Sequence, residues 1–183
     1  MNLTERDISL GIKKLFSYYD PNELKRWRLS DSHHKGPGRL HGYGFAEFIA
    51  KRHFEKKGYV VLKHFNLLTI KSKYADNNTR IREAIGYETY YNLTNALQKV
   101  RKCFGKIENP DLCVIGSNNT FFVEAKKDRD YLRPPQKLFA IVASQVANLQ
   151  FVLFKIEPAT GSHPPAHLAV SEITISARIP LFV

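Results

Sequence analysis

Cysteine is nearly absent from this chain. Cys103 and Cys113 are the two it has, and neither lies at a spacing used for a disulfide framework, a zinc site or a redox pair. A fold stapled by disulfides is therefore excluded, and both side chains are expected to be reduced thiols of a cytoplasmic protein. Long apolar runs are missing too. None approaches the roughly 18–20 residues that a membrane-spanning helix requires, so no membrane partner is expected. The opening residues, M-N-L-T-E-R-D, are polar and mixed in charge and carry no signal-peptide pattern. The triplet Asn92-Leu93-Thr94 is accordingly not expected to be a glycosylation site. Repeats and low-complexity tracts are also lacking, which excludes solenoid and fibrous architectures.

Among the charged residues the scarce ones are acidic. There are 17 Asp and Glu against 28 Lys and Arg, for a net charge of +11 and an isoelectric point near 9.7. Residues 51–106 carry 13 Lys and Arg against four Asp and Glu, whereas residues 151–183 balance Lys155 and Arg178 against Glu157 and Glu172. Basic side chains gain affinity for phosphates by releasing condensed counterions. A basic middle therefore suits a phosphate-rich polymer, with plain solubility charge as the alternative. The chain has 183 residues, 43% of them hydrophobic, and a mean hydropathy of -0.34. That is enough for one domain with a buried core and some embellishment.

The residues from Asn109 to Lys126 read N-P-D-L-C-V-I-G-S-N-N-T-F-F-V-E-A-K. Leu112 to Gly116 is short, apolar and β-branched, Ser117-Asn118-Asn119 is turn chemistry, and Thr120 to Val123 is a second apolar run. This predicts a β-hairpin. Alternation along the second strand puts Glu124 and Lys126 on one face and Ala125 on the other, with Asp111 at the outer end of the partner strand. A hard cation such as Mg2+ or Mn2+ takes one or two carboxylates and leaves its other positions to water and phosphate oxygens. Asp111 and Glu124 are the candidate carboxylate ligands, and the Ala125 carbonyl offers a third oxygen. Lys126 is placed to orient an attacking water or to offset negative charge. The set suits metal-assisted phosphodiester hydrolysis. Two other Glu-x-Lys triplets, Glu23–Lys25 and Glu55–Lys57, lie in charged, helix-like surroundings and read as surface charge. A core hairpin that merely has charged ends is the competing reading of the third.

Two more residues bear on the same chemistry. Gly42 to Lys57 reads as a helix closed at Gly58, with Phe45, Phe48, Ile49 and Phe54 on its apolar side. Glu47 interrupts that neighbourhood, either as a further metal ligand or as part of the solvated face. Gln136 follows Pro134-Pro135, a helix-starting pair, and opens an amphipathic segment with Leu138, Phe139, Ile141, Val142 and Val146. It is either a contact for water or phosphate or an ordinary first-turn polar residue.

In this order Glu47, Pro110-Asp111, Glu124-Ala125-Lys126 and Gln136 resemble the motifs of the PD-(D/E)xK nuclease superfamily. The stretch F-F-V-E-A-K-K-D-R-D-Y-L-R-P-P-Q looks most like the VRR-NUC branch, which is related to Holliday-junction resolvases. The resemblance covers residues 42–65 and 109–156. It implies an α/β fold with a restriction-endonuclease-like αβββαβ core and a mixed central sheet, dependence on Mg2+ or Mn2+, and cleavage of DNA to leave 5'-phosphates. It also implies site roles for Asp111, Glu124, Lys126, Glu47 and Gln136, and raises the expectation of a homodimer. Lys127, Arg129 and Arg133 beside the motif, with Lys99, Arg101 and Lys102 upstream, are the candidate nucleic-acid contacts. Residues 1–39 and 66–108 depart from the compact pattern, as a helical N-terminal extension and a helical insertion. Residues 157–183 are expected to add a strand and a tail. Whether cleavage selects a DNA structure, as in repair and recombination, or a base sequence, as in restriction, stays open at this point. So does a non-catalytic nucleic-acid-binding role.

Elsewhere, Thr4 is expected to cap a first helix with Ile8, Ile12, Leu15, Phe16 and Tyr19 on one face. Asp20-Pro21 starts a short basic helix that holds Trp27, and Ser30 to Arg39 reads as a breaker-rich loop containing His33 and His34. His41, His53 and His64 read as surface or packing residues, with a phosphate contact by one of them as the alternative. Tyr59 to Phe65 is strand-like, and Lys71 to Arg82 reads as a polar loop or arm. Tyr87, Tyr90 and Tyr91 either pack on the core or a partner or stack on bases. Leu93, Ala96, Leu97, Val100 and Phe104 form a helical stripe ending at Gly105. Leu149 to Ile156 and His167 to Ile175 read as strands, followed by an apolar tail from Arg178 to Val183.

Overall fold

Side-chain alternation decides most of the sheet, and the hairpin is the clearest case. In the computed structural model, which describes residues 5–29, 44–69, 73–160 and 168–180, β3 (Leu112–Ile115) and β4 (Thr120–Lys127) pair antiparallel from Leu112↔Val123 to Ile115↔Thr120. The remaining elements are β1 (Glu5–Tyr19), α1 (Pro21–Leu29), α2 (Phe45–Glu55), β2 (Val60–Leu62), α3 (Ala75–Ile85), α4 (Tyr87–Phe104), α5 (Pro134–Ala147), β5 (Gln150–Pro158) and β6 (Leu168–Pro180). The strands form one six-stranded mixed sheet in the order β2-β3-β4-β5-β1-β6. β2, β3 and β4 make an antiparallel meander. α5 then crosses over so that β5 lies parallel to β4, which is what a strand–helix–strand connection does. The chain is thus an α/β protein.

Odd and even positions divide the core in two. Leu112, Val114, Phe121, Val123, Val152 and Phe154 face one side, where Phe45, Ile49 and Phe54 of α2 and Leu24 and Trp27 of α1 cover them. Cys113, Phe122, Phe151 and Leu153 face the other, under Ile81 of α3, Leu93, Leu97 and Val100 of α4, and Phe139 and Val142 of α5. Phe45, Phe122, Phe139 and Phe154 are fully buried, each contributing roughly 1.5–3 kcal/mol of transfer free energy. Asp20 Oδ1 caps α1 by accepting the Asn22 N–H at 2.8 Å, and α4 stops at Gly105, whose φ of 77° suits a residue without a Cβ. No helix among the described residues is long and apolar enough to cross a membrane.

Two expectations are corrected. Residues 5–19 form a strand and not a helix; Thr4 lies outside the described residues. The run R-D-I-S-L-G-I-K-K-L-F-S-Y-Y satisfies both periods. Ile8, Leu10 and Ile12 pack on one core, while Leu15 and Tyr19 pack on the other. Pairing decides between them: β1 lies parallel to β5 from Lys13↔Val152 to Tyr19↔Pro158 and antiparallel to β6 from Glu5↔Pro180 to Ser17↔Leu168. The helical part of the N-terminal region is α1. Lys71 to Arg82 is likewise no loop throughout, since α3 occupies Ala75–Ile85. Its helical signal is weak because Ile81 and the polar Asn78 are its only buried residues. The loop read at Ser30–Arg39, with His33 and His34, lies outside the described residues, as do His41 and the last three residues of the tail. β6 extends past Ile175 to Pro180.

A chain of asparagines fixes the insertion to the hairpin. Asn78 Oδ1 accepts the Asn66 N–H at 3.0 Å while its Nδ2 donates to the Asn66 carbonyl at 2.8 Å. Asn109 Oδ1 accepts the Leu67 N–H at 3.0 Å and its Nδ2 donates to Asn66 Oδ1 at 3.1 Å. Removing a buried partner leaves backbone groups unpaired, which costs about 1–3 kcal/mol per group. Asn78→Ala is therefore expected to lower unfolding stability by roughly 2–4 kcal/mol, measured by urea denaturation. A loss within error of zero would mean that water replaces the amide.

Candidate active site

Asn109 anchors the segment that delivers Asp111 to the mouth of the hairpin. Asp111 Oδ2 accepts the N–H of Ala125 at 2.8 Å, so the carboxylate is tied to the middle of the Glu-x-Lys triplet on the neighbouring strand. Glu124 lies two residues after the buried Phe122, on the same face of β4, and so points toward the α5 face, where it is 1% exposed. Its Oε1 accepts from Lys126 Nζ at 2.8 Å and from Nε2 of the buried Gln136 through a short hydrogen bond. Gln136 owes its position to the start of α5: Pro134-Pro135 opens the helix, and Gln136 Oε1 reaches back to accept the Arg133 N–H at 3.0 Å. Both ends of this amide are engaged. Gln136 therefore holds Glu124, and the second hydrogen of its Nε2 is what remains for a contact with water or phosphate.

The second oxygen of Glu124, Oε2, is buried and has no donor. The Asp111 carboxyl is near enough to Glu124 for their charges to act on each other. Ionised carboxylates only accept, so these two can bond each other only when one carries a proton. Their titration reflects this. Burial holds the Asp111 carboxyl well above the usual range, the charges of Glu124 and Glu47 push it the same way, and the Ala125 N–H and Lys126 oppose them. Burial also raises Glu124, against the pull of Lys126. Two acids crowded out of water beside an unfilled acceptor oxygen form a site that a proton or a cation would relieve.

The pair opens on a cleft of about 510 Å3. Glu47 lines it from the first turn of α2, which Gly44 initiates with a φ of 80°. Glu47 is neither fully solvated nor aimed at the pair alone, because Lys63 Nζ holds its Oε2 at 3.1 Å. Among the described residues, no three His, Cys, Asp or Glu side chains gather into one metal-holding group. The site thus brings two carboxylates together and keeps the third on its wall. Lys127 and Arg133 line the cleft as well. Lys127 is paired to Asp128 at 2.6 Å and Arg133 to Glu108 at 2.7 Å. Arg129 is exposed in a neighbouring depression with Lys155, and Lys99, Arg101 and Lys102 lie exposed on α4, away from the cleft lining. His53 packs edge-on against Phe54, with its pKa lowered by burial and by Lys57, and His64 stacks on Tyr74; neither reaches the cleft.

The residues that sequence reasoning passed over are Lys63, Glu108 and Tyr131, which pair Glu47, pair Arg133 and line the cleft at 75% exposure. For Tyr131 a signal existed, an aromatic residue between acidic and basic ones in D-R-D-Y-L-R. The pairings have none, since their partners are distant in sequence. Comparison of the chain with family models, with curated proteins and with solved structures yields no match.

Proposed function

We propose that this protein is a divalent-metal-dependent nuclease that hydrolyses phosphodiester bonds in DNA, selecting for structure in the manner of repair and recombination enzymes. The observation that carries the reading is the Asp111–Glu124 pair: two adjacent carboxylates, one with a buried oxygen lacking any donor, in a cleft also lined by Lys126, Lys127 and Arg133 and by Glu47 and Asp130. Such an all-oxygen set of two carboxyl groups fits a hard cation such as Mg2+ or Mn2+, which needs only one or two protein carboxylates. Asp111 and Glu124 would hold it, with the Ala125 carbonyl as a further oxygen and Glu47 on the cleft wall. When bound, the ion supplies Lewis acidity and offsets the charge of a phosphate.

The rest of the work falls to the side chains. Lys126, one alternation step from Glu124, presents its ammonium where it orients a nucleophilic water and neutralises charge gathering on the phosphoryl oxygens. Gln136 and Lys126 together fix the rotamer of Glu124, which keeps both carboxylates of the pair facing one point. Arg133 and Lys127 stand on the cleft wall as phosphate contacts, each already oriented by a carboxylate. The order α2-β2-β3-β4-α5-β5, with sheet order β2-β3-β4-β5, agrees with the αβββαβ core that the PD-(D/E)xK resemblance implies. α3 and α4 interrupt it between β2 and β3.

The test is a panel of labelled single-stranded, duplex, flap and four-way DNA substrates, incubated with Mg2+, with Mn2+ and with EDTA. Metal-dependent cutting that favours branched substrates at any sequence is expected. Lys126→Ala should reduce it on the order of 10²-fold while leaving metal-induced thermal stabilisation in place. Cutting that persists in EDTA, or a Lys126→Ala protein as active as the parent, would reject the assignment.

A further inference from the structure

Away from the acid cleft, and sharing none of its lining residues, a groove of about 400 Å3 runs between α3 and α4. Arg82, Tyr87, Tyr90, Tyr91, Asn95 and Gln98 line it. A second depression continues it along α4, sharing Thr69 and Gln98 and adding Arg101 and Lys102. One end is therefore aromatic and the other cationic. The distance along α4 from Tyr87 to Lys102 is about 22 Å at 1.5 Å per residue.

The aromatic end is unusual in two ways. Tyr87 and Tyr91 are 71% and 56% exposed, so their rings are not spent on the core. The rings are also nearly parallel, 7° apart in orientation, with centroids separated by 6.5 Å, close to two base-stacking steps of about 3.4 Å. Flat faces in one orientation suit planar heterocycles. Arg82 lines the groove together with Tyr87, Tyr90 and Tyr91, which puts a guanidinium at the aromatic end. Among the described residues no ion pair engages Arg82, Arg101 or Lys102. The amides of Asn95 and Gln98 can meet the edges of bases.

We propose that this groove binds a single-stranded nucleic-acid segment. Unpaired bases stack on Tyr87 and Tyr91, and phosphates lie on Arg82, Arg101 and Lys102. Duplex bases already stack on each other and present no free faces, so the site discriminates by strandedness. The length fits on the order of four nucleotides, the lower end of known single-strand site sizes. The cationic end closes at Gly105, next in sequence to Lys106, which pairs with Glu108 at 3.0 Å, and Glu108 in turn holds Arg133 on the wall of the acid cleft. A strand in the groove is thereby directed to the carboxylates. That last step rests on the nuclease reading; the binding itself does not.

The experiment is fluorescence anisotropy of a labelled oligothymidylate and of a duplex of equal length, in EDTA so that cutting plays no part. Replacing both tyrosines, Tyr87→Ala with Tyr91→Ala, is expected to weaken oligothymidylate binding at least about tenfold and leave duplex binding within about twofold. Phe at both positions should preserve it, because the ring face and not the hydroxyl does the binding. Arg101→Gln with Lys102→Gln should flatten the slope of log affinity against log salt by about 1.4. Both rings are exposed, so the far-ultraviolet dichroism of the alanine pair should match the parent. Unchanged oligothymidylate affinity in the alanine pair overturns the proposal. So does a dimer in sedimentation that the alanine pair dissociates with no effect on oligonucleotide binding, since a second copy of the chain would then occupy the groove. Tyrosine-dependent binding by a protein that never cuts would uphold the groove and reject the nuclease.

Discussion

Glu124→Gln is expected to lower metal-dependent cleavage on the order of 10³-fold while leaving the fold intact. The substitution keeps the shape and still offers one oxygen to Lys126 and Gln136, the two donors that now meet Oε1. At the position of the donorless Oε2 it places an amide N–H pair, which the neighbouring Asp111 carboxylate can accept. The variant thus keeps an acceptor for Lys126 and Gln136 and removes one negative charge from the place a cation would occupy. Single-turnover cleavage in Mg2+ reads the loss, and anisotropy in Ca2+ reads binding of the same substrate. Cleavage within about tenfold of the parent would show that Glu124 has no part in the chemistry.

Asp111→Asn should make the metal-free protein more stable and at the same time insensitive to added metal. The sign follows from the burial and repulsion that hold the Asp111 carboxyl above its ordinary value. The folded protein binds that proton more tightly than the unfolded chain. This group therefore supports the fold at acid pH, and the support is lost as pH rises through the folded-state value. Asn removes the ionisation and can keep the bond from the Ala125 N–H. At neutral pH, where the ionised Asp111 no longer supports the fold, the variant shows a net gain in stability. It should appear as a rise in Tm of roughly 2–4 °C per kcal/mol. Mn2+ in hundredfold excess over its dissociation constant would stabilise the parent by about 2.7 kcal/mol. The variant should show little of that shift. A parent whose Tm ignores Mn2+ would remove the metal from the proposal, and a variant less stable than the parent would mean that the carboxylate is held by contacts Asn cannot make.

The hairpin and α5 were legible because local chemistry and tertiary need agree there. A turn flanked by two apolar runs has few alternatives, and Pro134-Pro135 fixes where a helix begins. The α4 stripe and its stop at Gly105 were legible for the same reason. β1 was not, because Ile8, Ile12, Leu15 and Tyr19 fit a helical stripe as well as two faces of a strand. What decides is pairing with Val152–Pro158 and Leu168–Pro180, segments far along the chain. α3 was hidden by its composition: a helix anchored by Asn78 and Ile81 leaves no apolar periodicity to read. At the site, residue type and order along the chain named Asp111, Glu124 and Lys126 as a set. They could not foretell that Gln136 spends both ends of its amide on Glu124 and the α5 start, or that Lys63 claims Glu47.

The position of β1 inside the sheet has a consequence for biosynthesis. It is made before the other strands of the sheet, yet both of its neighbours, β5 and β6, are the last two of them. Until those segments leave the ribosome it has neither edge satisfied, and its Ile, Leu, Phe and Tyr residues have no sheet to join. The meander and its helices can assemble in the meantime, leaving a seam beside β4. Closing that seam over so long a loop is the slow, high-contact-order step, and the nascent first strand is where a chaperone has the most to shield.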